Sequence, residues 1–139
     1  METTNQIKIE ILEKEVEHNT ANIEKCQKEI RDWMNDIVRH ELNREGRAKT
    51  IAESERKLEA FKKNIPDFSE KTGEMYMEYM ELKKDYENEI EFGHRIEEKV
   101  KLLKEKVAYN EERIKDSQES IEDIKKALAE AQSEETNQD

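Results

Sequence analysis

Large aliphatic residues recur every seventh position through the first half of this chain. Stepping from Ile9 gives Ile9, Val16, Ile23, Ile30, Ile37, Arg44, Ile51, Leu58 and Ile65, and the companion positions read Leu12, Asn19, Cys26, Trp33, His40, Arg47, Ser54 and Phe61. The second half repeats the pattern. Its a positions are Tyr79, Tyr86, Gly93, Val100, Val107, Ile114, Ile121 and Leu128, and its d positions are Met75, Leu82, Glu89, Ile96, Leu103, Asn110, Ser117, Ile124 and Ala131. Two apolar positions in seven form the seam of a coiled coil, because that spacing keeps one stripe of a helix facing its neighbour.

The single proline, Pro66, falls between the two registers. Proline disfavours helix at the preceding residue, and Asp67 with Glu70 has the spacing of a capping box. The pattern therefore predicts one helical-hairpin domain over 1–132: a helix at 5–64, a turn at 65–68 and a helix at 69–131. The polar segment 133–139 lacks the pattern and is expected to be a frayed tail. Each helix would run ~90 Å at 1.5 Å per residue, and so short a connection makes the two antiparallel neighbours. The expected fold is all-α, a long antiparallel two-helix coiled-coil hairpin that assembles into a helical bundle. Gly46 and Gly93 are the places where a kink is expected, since glycine weakens a helix by up to ~1 kcal/mol relative to alanine.

Folding the chain about Pro66 and Asp67 sets Ile37 beside Ile96, Trp33 beside Val100, Cys26 beside Val107 and Leu12 beside Ile121. The same register brings Arg44 to Glu89, Arg47 to Tyr86 and His40 to Gly93. These six residues form a polar waist whose expected role is register control, because a slip would strand a seam charge without its partner. Asn19, Asn110 and Ser117 read as further register devices and Cys26 as a small buried hydrophobe. A water-filled waist that binds a small ligand is the competing reading of the six.

Some apolar residues lie off the seam. Met34, Val38, Leu42, Ile90 and Phe92, together with the seam residue Trp33, are the candidate oligomer interface. Met75, Tyr76, Met77 and Met80, with Glu74, Glu78 and Glu81, are the candidate partner-binding surface, where adaptable side chains sit among carboxylates. Large apolar patches beyond what the seam buries mark contact surfaces.

Composition agrees with thin helices: 33% of residues are hydrophobic, 44% are charged, and there are three Gly and one Pro. Loop-rich and β folds are excluded on those numbers, and no apolar run is long enough to span a bilayer. The net charge of −11 is unevenly placed. Residues 1–65 hold 13 Lys+Arg against 14 Asp+Glu, a net of −1, and residues 66–139 hold 12 against 22, a net of −10. With no basic stripe to neutralise phosphates, direct nucleic-acid binding is not expected, whereas a basic protein partner is.

No phosphate loop, nucleophile elbow or cysteine pair occurs, so no cofactor or metal is expected. Glu91 and His94 form an E-x-x-H, but they fall at positions facing away from the seam. The lone Cys26 and the polar opening Met1-Glu2-Thr3-Thr4 suit a reducing, cytoplasmic setting. The expected function is a non-enzymatic interaction or scaffolding protein that self-associates as a homodimer or higher and presents an acidic helix to a partner. Two alternatives are a small acidic inhibitor of viral or mobile-element type, blocking a basic nucleic-acid-binding site, and a helical-bundle binder of a small ligand at the waist.

Overall fold

A computed structural model describes residues 3–64 and 72–137. It consists of two helices, α1 (Thr4–Asn64) and α2 (Thr72–Asn137), packed on each other as a helical hairpin. The expected turn at 65–68, the start of the second helix at 69 and the Asp67/Glu70 cap lie outside the described residues. A different cap closes the start of α1. Thr3 Oγ1 accepts from Gln6 N at 3.1 Å and Gln6 Oε1 accepts from Thr3 N at 2.9 Å, so the two residues reciprocally satisfy donors the helix leaves free. Lys62 and Lys63 place positive charge in the last turn of α1, where the helix dipole favours it. At its other end α2 continues past Ala131 to Asn137, and Thr136 Oγ1 donates to Gln132 O at 3.0 Å.

The heptads account for which side chains are covered. Every a and d position of α2 from Met75 to Ala131 is buried or half-buried, and on α1 from Ile9 to Phe61 Arg44 is the one exposed exception. The chain divides into two compact units, Met1–Met34 with Lys104–Asp139, and Asn35–Leu103.

The first unit has a seam of small and polar residues. Cys26, Val107 and Ala131 are buried there, and so are Asn110 and Ser117. Burying an amide or hydroxyl is costly unless it is hydrogen-bonded, and both are bonded across the helices. Asn110 Nδ2 donates to Glu29 Oε2 at 2.9 Å, and Ser117 Oγ accepts from Asn22 Nδ2 at 3.0 Å. Asn22 Oδ1 in turn accepts from Arg113 at 3.3 Å, and Asn5 Nδ2 donates to Ala131 O at 2.8 Å. The early part of α1 thus meets the late part of α2, an antiparallel pairing. Asn19, by contrast, donates to Glu15 O on its own helix at 2.9 Å.

In the second unit Ile37, Ile96 and Val100 form the buried seam. Arg47 Nη1 donates to Glu89 Oε2 at 3.0 Å, Arg44 pairs with Glu97 at 2.7 Å, and Phe61 stacks on Tyr79 with ring centroids 6.4 Å apart.

These partners correct the register read from the sequence. A fold about Pro66 sets Phe61 level with Thr72, Glu29 with Lys104 and Asn22 with Glu111, yet they meet Tyr79, Asn110 and Ser117. In most of the cross-helix pairs of both units α2 is displaced by six or seven residues, close to one heptad. The seam cation that pairs with Glu89 is Arg47, and Arg44 pairs with Glu97 instead. The apolar pattern cannot distinguish these registers, because shifting by seven again puts an a residue opposite a d residue. The observed one gains the Phe61–Tyr79 stack and gives Asn110 and Ser117 polar partners.

α1 is helical without a break through Gly46, and α2 through Gly93. A Cβ built on either glycine meets nothing within 4 Å. Gly46→Ala and Gly93→Ala should therefore each stabilise the protein by about 0.5–1 kcal/mol through helix propensity alone. Urea-unfolding midpoints check this, and a loss of stability at either site would mean its helix is not regular there.

Candidate functional site

The polar waist belongs to the second unit and is built around Arg47. Its guanidinium is held between the Glu89 carboxylate and the Phe92 ring, with the guanidinium carbon 3.7 Å from the ring centroid. A planar cation suits both contacts, since it can hydrogen-bond in its plane while its face lies on an aromatic ring. Tyr86, Glu89 and Gly93 are half-buried on α2, as is His40 on α1. Arg44 leaves the seam for the exposed Glu97, which also lies 3.8 Å from His94 Nδ1. The charges that the sequence places together are thus shared out between two carboxylates, Glu89 and Glu97.

The residues singled out as an oligomer interface are not all brought together. Ile90 lines one hollow with Arg44, Ala48, Gly93, His94 and Glu97. Phe92 lines another with His40, Asn43, Arg95, Lys99 and Leu102. Two residues apart on a helix they point to different sides, because such neighbours are about 200° apart around the axis. Val38 and Leu42 are exposed on α1, and Leu42 keeps 63% of its surface in water. Met34 is likewise exposed in the first unit, where Trp33 is half-buried with Lys106 Nζ 6.0 Å above its ring. Leu102 and Tyr109, outside the candidate surfaces above, are also exposed, and so are Ile7 and Ile11. Leu102 and Tyr109 share the c position of successive heptads, the signal that would have marked them.

The third surface is the early part of α2. Tyr76, Met77 and Met80 are exposed, with Met77 at 70%, whereas Met75 is turned into the seam and half-buried. Tyr76 lies beside Tyr79, ring centroids 6.4 Å apart. Glu74, Glu78 and Glu81 are exposed among them. Glu81 borders both the hollow at Tyr76, Met77 and Met80 and a separate groove floored by Phe61, Met75 and Leu82.

Of the E-x-x-H pair, Glu91 pairs with Arg95 at 2.8 Å, and both Glu91 and His94 are largely exposed. Among the described residues no group of three or more His, Cys, Asp or Glu is arranged to hold a metal ion. Among them, too, no helix is long and apolar enough to cross a membrane. Comparison with protein-family models, curated proteins and solved structures gives no match.

Proposed function

We propose that this protein is a non-enzymatic coiled-coil interaction or scaffolding protein that associates with itself and presents its acidic second helix to a protein partner. One observation carries the reading: apolar side chains remain in water although the seam is already occupied. Val38, Leu42, Phe92 and Leu102 in the second unit lie off the a and d positions and are all exposed. Among the described residues α1 and α2 leave them uncovered, and apolar area removed from water contributes roughly 25 cal/mol per Å2. A second copy laid along Val38 and Leu42 would complete a bundle and leave the acidic early part of α2 available to a partner.

Light scattering should return a multiple of 16.6 kDa for the wild-type chain. Val38→Glu combined with Leu42→Glu should reduce the mass to a single chain with helix content unchanged, since both side chains are already exposed and two carboxylates would be desolvated in the contact. A wild-type protein that is monomeric at high concentration would remove the self-association part of the proposal. An oligomer unaffected by both glutamates would move the contact to another face.

A further inference from the structure

The seam of the unit Asn35–Leu103 is unevenly sealed. Ile37, Ile96 and Val100 are buried, whereas Phe61, Met75 and Leu82 occupy d positions and remain only half-buried. These three floor a groove of about 690 Å3, along which α2 contributes Glu78, Glu81 and Asp85. Glu78 and Asp85 are one heptad apart with Glu81 between them, so the carboxylates follow one flank of α2 for ~10 Å. Among the described residues lining the groove, Lys57 is the one cation. Apolar side chains lie open beside a row of like charges.

We propose that this groove docks a basic amphipathic helix from another protein. The inference rests on the interaction-protein reading above and names the chemistry of the partner. A helix laid along the groove would seat apolar residues at i, i+3 or i+4, and i+7 against Phe61, Met75 and Leu82. Its flanking Lys or Arg residues, at the same spacing, would meet Glu78, Glu81 and Asp85. Charge complementarity selects this occupant. A second copy in an isologous, groove-to-groove contact would bring the same three carboxylates face to face. An anionic membrane surface would be repelled by them. Glu81 also borders the exposed Tyr76, Met77 and Met80, so a longer partner can continue onto that flexible apolar surface.

The test uses the full chain and two labelled synthetic peptides of identical Lys/Leu composition. One has a leucine stripe with lysines along one flank at i, i+3 and i+7, and the other is scrambled so that no stripe forms. Fluorescence anisotropy should show the patterned peptide binding at least ~10-fold more tightly than the scrambled one. The combined variant Glu78→Gln, Glu81→Gln and Asp85→Asn should lose most of that margin, because three partly desolvated ion pairs together are worth about that factor. Circular dichroism should confirm an unchanged fold in these near-isosteric surface changes. Equal binding of the two peptides, or an unaffected triple variant, would overturn the proposal. A change in the mass of the triple variant by light scattering would also overturn it, by making a second copy the occupant. Failure of the self-association reading is separable: Val38→Glu with Leu42→Glu would leave the mass unchanged while patterned binding persists.

Discussion

Asn110→Asp is expected to destabilise the protein by about 3–5 kcal/mol at pH 7, the usual consequence of an uncompensated buried charge. Asn110 is 2% exposed, and its amide nitrogen donates to Glu29 Oε2 at 2.9 Å. The substitution preserves shape but replaces a donor with an anion facing another carboxylate. Desolvation and the like charge both oppose ionisation, so the introduced carboxyl should titrate well above the ~3.9 of an exposed aspartate. The sign of the pH dependence follows. A group whose folded pKa is raised binds more protons in the folded state, so the deficit is greatest above that pKa and shrinks as the pH falls. Near pH 4 the neutral acid can donate to Glu29 as the amide did, and the variant should approach wild type. The check is the difference in unfolding free energy between variant and wild type across that range, with Asn110→Ala as a pH-insensitive reference. A deficit independent of pH would mean that Asn110 is not sealed against Glu29.

The second large effect concerns Ile37 and Ile96, which are 4% and 5% exposed. Truncating either to alanine should remove about 2–5 kcal/mol, the loss of transfer energy plus the cavity left behind. The informative quantity is the double variant. In the register expected from the sequence, Ile37 and Ile96 face each other and their truncations would couple. In the observed register Ile96 lines a hollow with Arg44 and Ile51, which sets it about a heptad along the unit from Ile37. Ile37→Ala and Ile96→Ala should then add to within about 0.5 kcal/mol, as separated sites do. A larger coupling energy would restore the earlier register. Chemical denaturation of the four proteins of the cycle provides the measurement, and the unaltered slope against denaturant would show that the unfolding reaction has stayed the same.

Much of the architecture was legible because helix burial is periodic. The a and d positions written from Ile9 and Met75 are covered on both helices, with Arg44 the exception. Arg44 escapes because a long side chain can leave a seam and keep its charge in water, as it does by reaching Glu97. The Thr3–Gln6 cap has a sequence signal too, a T-x-x-Q preceding the periodic run. The candidate sites were legible only as types of residue. Ile90 and Phe92 looked like one patch at one level, and the helix turned them into separate hollows. Met75 could be read both as a d residue and as part of the methionine surface, and it floors a groove as a half-buried d residue.

By itself, the sequence determined that this chain forms two long helices, which stripe of each is covered, and that negative charge collects on the second. Local propensity and a seven-residue period suffice for those. Only the tertiary structure decided which heptad faces which, since registers one heptad apart bury the same kinds of apolar residue. The choice lies with pairs far apart in the chain: Asn110 with Glu29, Ser117 with Asn22, Arg47 with Phe92, and Phe61 with Tyr79. Each is favourable at one displacement and lost at the next, because a hydrogen bond or ring contact has a reach of a few ångströms while a heptad advances the helix by ~10 Å.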